Sequence, residues 1–355
     1  MNVFDSPDFD HHEEVAFFSD KASGLRAIVA IHSTALGSAC GGTRMYPYAS
    51  SDAALTDALR LARGMSYKNA IADLPLGGGK AVILGNPTTD KSDAKFAAYA
   101  AAINSLGGRY ITAMDVGMLP PDMLAIARGT KYIAGYDQPG RSGGDSAPAT
   151  ALGVFVGLKA AVKHRLGVDT TKDLRVAVQG LGKVGMALAK RLHGEGAKLI
   201  VADTNATHVA EAIEKLGAIA VAPDQLVTAQ CDVLSPNALG AILNDESIAR
   251  LQARVVAGAA NNQLARDHHG AMLRDRDILY APDYVINGGG IIRVAAQIEN
   301  WSDAEVERRV LGIAGTLSAI FARSVKDGEP TNVIADRMAV ERIARGKSAA
   351  RKAAE

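Results

Sequence analysis

Short apolar runs alternate along the chain with longer segments in which apolar residues recur every three or four positions, and the two periods sort it into strands and helices. Residues 25–32 (LRAIVAIH) are apolar and rich in β-branched side chains, which predicts a strand. In SDAALTDALRLARGM, Leu55, Leu59, Ala62 and Met65 fall on one helical face behind a candidate N-cap at Asp52. SACGGTRMYPY, between the two, is dense in small residues and turn formers and reads as loop. Residues 80–84 form a predicted strand ended by Asn86-Pro87, 94–106 a helix stopped by Gly107-Gly108, and 110–113 a short strand; Asp122 is placed as the cap of a further helix.

Residues 136–150 break the pattern: DQPGRSGGDSAPAT is rich in Gly, Pro, Ser and Asp and reads as a hinge between two domains. A helix over 151–164 leads out of it. Strands at 174–179, 198–202, 218–221, 231–234, 254–257 and 278–281 follow, with helices at 183–193 and 209–216 and further helices at 301–324 and 336–345. That alternation predicts a parallel sheet with helices on both faces. The fold class is therefore α/β with two domains, residues 1–140 and 141–330, and a C-terminal helix over 331–355 packing back on the first.

Composition narrows the partners. The 355 residues suffice for two cores, and a formal net charge of +1 leaves no basic footprint for nucleic acid. Cys40 and Cys231 are the only cysteines, too few for a disulfide framework or a thiolate metal cluster. The acidic start MNVFDSPDFDHHEE lacks a signal-peptide core, and no apolar run is long enough to span a membrane, so a cytoplasmic protein acting on a small molecule is expected. The pairs His11-His12 and His268-His269 come without carboxylate or cysteine partners at ligand spacing; they read as surface histidines, and no metal is expected.

Two stretches carry chemistry. In KNAIADLPLGGGK, Lys68 and Lys80 bracket an apolar segment, and Lys80 follows three glycines. Taken alone, this fits a solvated surface turn as well as a loop that delivers a partly desolvated lysine with a lowered pKa. Ala81 excludes a Walker A loop, which needs Ser or Thr there. The second stretch, Gly180-Leu181-Gly182-Lys183-Val184-Gly185, is a GxGxxG between a predicted strand and helix, followed by a strand ending at Asp203. In that context it is a dinucleotide fingerprint: Gly180 for the turn, Gly182 for approach of a diphosphate, Gly185 for helix–strand packing. Asp203 would accept from a ribose 2′-hydroxyl and repel a 2′-phosphate, which favours NAD over NADP.

The motifs DALRLARGMSYKNA, LGGGKAVI, GRYITAMDVG, VAVQGLGKVG, VVAGAANNQL and YAPDYVINGGG together resemble the glutamate/leucine/phenylalanine/valine dehydrogenase family, and its leucine dehydrogenase branch in particular. The resemblance implies an N-terminal substrate-binding and oligomerisation domain, a Rossmann-type NAD-binding domain and a cleft between them. It implies reversible oxidative deamination of an L-amino acid to a 2-oxo acid, ammonium and NADH, by a homo-oligomer of between two and eight subunits. By motif, Lys68 pairs with the substrate carboxylate, Lys80 activates water, and Asp115 moves protons at the amino nitrogen. Cys40, Gly41, Gly42, Ala113, Ala134, Ile291 and Val294 line the side-chain pocket. Asn262 bonds the substrate carboxylate or the nicotinamide side, while Thr150, Ala238, Ala260 and Asn261 join the cofactor site.

Several positions depart from the leucine dehydrogenase pattern: Cys40 replaces Leu, Met114 replaces Glu, Asp145 replaces Asn and Gly288 replaces Ala. Ile291 narrows the pocket towards aliphatic substrates and Cys40 widens it. A branched-chain substrate is expected, with an aromatic one as the alternative; a non-catalytic NAD-binding regulator is the competing class, opposed by the retention of Lys68, Lys80 and Asp115.

Overall fold

The computed structural model describes residues 3–137, 143 and 145–354, with side chains as far as Ser348. Of the predicted hinge, residues 138–142 and 144 lie outside the described residues. The chain divides into two compact units, Met1–Gly144 with Arg293–Asn300 and Ala339–Glu355, and Asp145–Ile292 with Trp301–Met338.

The first unit holds β1 (Glu14–Asp20), β2 (Leu25–Ser33), β3 (Ala39–Tyr46), α1 (Ser51–Ile71), β4 (Gly77–Leu84), α2 (Asp93–Ser105), β5 (Tyr110–Met114) and α3 (Pro120–Ala127). Its sheet runs β1-β2-β4-β3-β5. β1 and β2 are antiparallel, as are β2 and β4, while β3 lies parallel to both β4 and β5. Four expectations are corrected by the first unit. SACGGTRMYPY is not loop: most of it is β3, buried almost throughout, where small residues serve a strand enclosed on both faces. The triple glycine is not a loop either, since Gly77–Gly79 open β4 and are fully enclosed. The cap of α1 is Ser50, whose side chain accepts from the Ala53 N–H at 3.1 Å; Asp52 lies in the first turn. Asp122 likewise sits inside α3, its carboxylate accepting the Leu119 N–H at 2.7 Å. β1 had no counterpart in the apolar pattern, because it is an edge strand whose residues are at most half-buried.

The glycines of β4 exist for close approach. A Cβ on Gly78 would lie 2.0 Å from the backbone nitrogen of Ser66 in α1, and one on Gly79 would lie 2.8 Å from the Tyr110 ring. α1 meets them with a small-residue face, Ala54, Ala58, Ala62, Ser66 and Ala70, and Leu55 and Leu59 fill the space beside it. Burying each of those leucines contributes about 1.5–3 kcal/mol. Beneath the sheet, Tyr99 and Thr43 hydroxyls meet at 2.5 Å, Thr43 also bonds Thr112, and the Tyr110 hydroxyl donates to the Gly41 carbonyl at 2.6 Å. These bonds lock β3 to its neighbours below the residues that matter chemically.

The second unit is a six-stranded parallel sheet of order β11-β10-β9-β6-β7-β8. It is built from α4 (Ala147–Leu166), β6 (Arg175–Gln179), α5 (Lys183–Gly194), β7 (Lys198–Ala202), α6 (Ala206–Leu216), β8 (Ile219–Ala220), β9 (Val233–Pro236), α7 (Asp245–Arg250), β10 (Val255–Val256), α8 (His269–Asp275), β11 (Leu279–Tyr280) and α9 (Asp283–Ile286). The predicted alternation is present. The helices that follow are α10 (Gly289–Glu299), which periodicity did not single out, α11 (Asp303–Leu311), α12 (Ile313–Asp327) and α13 (Thr331–Ala354). The single helix expected over 301–324 is two, parted at Gly312. In the first unit the end of α13 packs on α1: Arg342 Nη1 donates to the carbonyls of Ala70 and Ile71 at 3.0 and 2.7 Å. Those are orphan acceptors of the last turn of α1, so the C-terminal segment caps the helix that carries Lys68. Among the described residues, no helix is long and apolar enough to cross a membrane.

Candidate functional site

Strands β3, β4 and β5 place Lys80 and Asp115 against each other. Lys80 is the fourth residue of β4 and is 5% exposed; Asp115 directly follows β5. Lys80 Nζ donates to Asp115 Oδ2, and the other carboxylate oxygen accepts the Val116 N–H at 2.6 Å. Burial is the largest influence on Lys80 and pushes its pKa down; Asp115 opposes this, and the guanidinium of Arg44 adds to it. Burial alone would raise the Asp115 carboxyl, but the Lys80 ammonium, the Val116 N–H and Arg44 outweigh it and bring the pKa below the usual range. A base that gives up its proton readily thus touches a carboxylate that can move one, the arrangement general acid–base chemistry requires.

Gly42 makes room for that carboxylate, since a Cβ there would lie 2.7 Å from Asp115 Cβ. Gly41 backs onto β4, where a Cβ would lie 1.8 Å from the Gly79 carbonyl oxygen. Cys40 is fully enclosed, its carbonyl oxygen within 3.4 Å of Asn69 Nδ2, and burial pushes its thiol up to about 12. Lys68 is half-buried in the last turn of α1. Next to it, the buried Asn69 donates to the Gly77 carbonyl at 2.6 Å and ties that turn to the start of β4. Ala113, Ala134 and Val294 also belong to this unit, and Ala113 and Val294 both flank Gly135, within 3.7 and 3.5 Å of where its Cβ would be. The Gly135 N–H donates to Gln297 Oε1 at 2.6 Å, which fixes the segment carrying Val294. Met114 is exposed at the end of β5.

The second unit gathers the other predicted residues. Gly180 takes φ +81, the left-handed region that suits glycine, and its Cβ would meet Ala238 at 2.7 Å. Gly185 lies so close to the Gly180 carbonyl that a Cβ would fall 1.9 Å from its oxygen. Gly182 is the N-cap of α5, has no side-chain cap and faces open space, so the first amides of a twelve-residue helix stand ready for an anion. These features fit a dinucleotide diphosphate. Asp203, just past β7, accepts the Leu181 N–H at 2.5 Å and the Asn205 N–H at 2.7 Å. Burial works against its charge, yet those backbone bonds keep its pKa below the ordinary value. Thr150 lies on α4 with its hydroxyl donating to the Ser146 carbonyl at 2.9 Å. Asn261 accepts from Asn287 Nδ2 at 2.7 Å, Asn262 has φ +53, and the Ala260 N–H donates to Pro236 at 2.9 Å. Ile291 is buried in α10, and Gly288 donates to the Val285 carbonyl at 3.1 Å. Asp145 pairs with Lys183 at 3.1 Å, both well exposed, and accepts the Ala147 N–H at 3.0 Å.

The reading of the histidine pairs as surface groups holds for His11 and His268 only. His12 and His269 are buried, and Asp245 lies beside His268 and His269, with the candidate ligand atoms of all three within 4.8 Å. The Arg266 N–H donates to His269 Nδ1 at 2.9 Å, so the neutral ring carries its proton on Nε2, the nitrogen facing Asp245. That atom presents a donor, not the lone pair a cation needs. Sequence reading also passed over Arg44: a lone arginine inside the small-residue run CGGTRMY was the available signal, hidden by taking that run for loop.

Residues 12–132 match the Glu/Leu/Phe/Val dehydrogenase dimerisation domain, and residues 142–212 and 202–351 match Glutamate/Leucine/Phenylalanine/Valine dehydrogenase. The leucine dehydrogenase of Bacillus cereus is 48% identical over 97% of this chain and 94% of its own. The valine dehydrogenase of Streptomyces albus is 46% identical over 95% of this chain and 93% of its own. The crystal structure of L-tryptophan dehydrogenase from Nostoc punctiforme superposes with a TM-score of 0.86 at 44% identity, covering 95% of this chain and 97% of that one.

Proposed function

The chain belongs to the glutamate/leucine/phenylalanine/valine dehydrogenase family, and from that premise we propose that it catalyses reversible, NAD-dependent oxidative deamination of a branched-chain L-amino acid. The direct contact between a buried lysine and Asp115 is the observation that carries this reading. NAD, held in the second unit, would supply the acceptor for the hydride of Cα. Neutral Lys80 takes a proton from the water that attacks the resulting imine carbon, and a hydroxyl forms there. Lys80 passes that proton to Asp115, which delivers it to the amino nitrogen; ammonia leaves, and Lys80, neutral again, accepts the hydroxyl proton as the carbonyl forms. Lys68 anchors the substrate carboxylate, and Asn262 bonds either that carboxylate or the nicotinamide side. Gly180, Leu181, Gly182, Lys183, Val184 and Gly185 hold the diphosphate with help from Ala238, while Asp203 selects a free ribose hydroxyl. Thr150, Ala260 and Asn261 complete the nicotinamide side.

Three relatives named for leucine, valine and tryptophan leave the side chain to the pocket. By the family pattern Ile291 leans towards an aliphatic substrate and Cys40 towards a larger one, and Gly41, Gly42, Ala113, Ala134 and Val294 are assigned to substrate binding. One methylene in such a pocket is worth about 1–3 kcal/mol, so aliphatic selectivity of one or two orders of magnitude is expected. The match of residues 12–132 to a dimerisation domain supports a homo-oligomer. The test is NADH absorbance at 340 nm with NAD and a panel of L-amino acids. Leucine, valine and isoleucine should turn over, with little reaction of glutamate. A preference for phenylalanine or tryptophan would replace the substrate assignment, and no NADH from any amino acid would remove the enzymatic one.

A further inference from the structure

We propose that Arg44 is a positioning residue for the Lys80–Asp115 pair, a fixed cation beside the same carboxylate oxygen that holds Asp115 in place and favours its charged form, so that Asp115 passes on the proton it takes from Lys80 instead of keeping it. This rests on the roles assigned to those two residues above.

Arg44 lies on β3, two residues beyond the glycine that accommodates Asp115. Its Nη2 is 3.7 Å from Asp115 Oδ2, the oxygen that also meets Lys80. Its Nη1 donates to Asp57 Oδ2 at 2.9 Å, and the Tyr48 hydroxyl donates to that same oxygen at 2.5 Å. The guanidinium is thus held from α1 by Asp57, which Tyr48 in turn bonds, with Nη2 towards Asp115. Asp57 and Asp115 together outweigh the effect of burial and hold Arg44 above even its ordinary pKa.

The chemistry needs such a group. Lys80 works as a base only when uncharged, and at that moment Asp115, whose side chain is 20% exposed, loses the cation touching it. A largely buried carboxylate without a counter-charge takes up a proton and keeps it, and delivery of that proton to the amino nitrogen would then stall. An arginine does not titrate, so Arg44 supplies a constant charge on one side of the pair. It also repels the Lys80 ammonium and eases its deprotonation. The charged and titratable groups facing Lys80 are Asp115, Arg44 and Asp57, with the buried Cys40 thiol, which stays protonated, on the same strand as Arg44.

Arg44 also lines an open cleft of ≈ 510 Å³ with Tyr46, Tyr48, Asp57, Arg60 and Val116. A small cation added to solution can therefore reach the position of its side chain.

The experiment is the pH dependence of kcat/KM for the best amino acid of the panel at saturating NAD, for wild type, Arg44→Gln, Arg44→Lys, Arg44→Ala and Asp57→Asn. Arg44→Gln should lose about tenfold or more, and the limb on which activity rises with pH should move up by about one unit. Both consequences share a sign, since removing the guanidinium raises the pKa of Lys80 and of Asp115 alike. Arg44→Lys should recover part of the rate, guanidinium salts should partly restore Arg44→Ala, and Asp57→Asn, which removes a negative charge that raises the Lys80 pKa, should not move the limb up. A limb that stays in place, whether the rate is unchanged or lowered equally at every pH, would overturn the proposal. If Arg44→Gln does not fold, Arg44→Ala decides by the same criterion. Turnover by wild type together with its loss in Lys80→Ala separates this question from the assignment of the pair itself.

Discussion

His12 puts a price in acid on the first unit at a distance from the chemistry. It is buried, its Nε2 bonds the Leu59 carbonyl at 3.0 Å, and its Nδ1 accepts the Asp10 N–H, so both nitrogens are satisfied in the neutral ring. Burial is the main cause that lowers its pKa from 6.5 to about 4. Between those values the unfolded chain holds a proton that the folded chain does not, so stability rises with pH across the window and falls as the pH drops through it. The loss below pH 4 amounts to about 3 kcal/mol, and none arises from this group above pH 6.5. Urea unfolding at pH 7 and pH 4.5 should show wild type losing more stability than His12→Gln over that interval; an equal loss in both would remove His12 as the cause. The same arithmetic of burial against charge governs Lys80, and the sequence showed it only as two open alternatives. GGGK was visible, but whether the lysine met water or a carboxylate depended on residues 35 positions away, which only the pairing of β4 through β3 to β5 brings together.

Helix α1 and strand β4 meet through glycines and alanines, and two substitutions separate packing from propensity. Gly78→Ala would drive a methyl to within 2.0 Å of the Ser66 backbone, which cannot move without shifting the turn that carries Lys68. It should cost several kcal/mol, about 3 or more, or prevent folding of the unit. Gly64→Ala lies on the exposed side of the same helix with nothing within 4 Å, and should stabilise by about 0.5–1 kcal/mol. Thermal unfolding of both variants checks the pair; a neutral Gly78→Ala would contradict the close-approach account. The parallel alternation of the second unit was legible because its strands are continuous apolar runs such as LRVAVQ. β3 was not, because ACGGTRMY is chosen for thinness between two strands and two helical layers, and small residues resemble turn chemistry when read one position at a time. α10 was hidden for a related reason: it starts inside a run of glycines, Gly288-Gly289-Gly290, that sequence rules assign to a turn.

Each of the two units carries its own part of the proposed chemistry: Lys68, Lys80, Arg44 and Asp115 in the first, the glycine turn and Asp203 in the second. The chain ends by returning to the first, where Arg342 caps the last carbonyls of α1 across more than 270 residues of sequence. Arg342→Ala should therefore destabilise the first unit by about 1.5–3 kcal/mol, read as a lowered urea midpoint, and raise KM for the amino acid more than KM for NAD, because Lys68 sits in the turn that frays. Equal effects on both KM values would place the cap outside substrate binding. The most direct test of the account as a whole is Lys80→Ala, with NADH formation at 340 nm from the best amino acid measured beside the dissociation constant for NAD. Deamination should fall by at least about a hundredfold while NAD binds as in wild type. Deamination that survives the substitution would contradict the role of Lys80 as the base, and loss of NAD binding along with activity would make it a structural residue of the sheet.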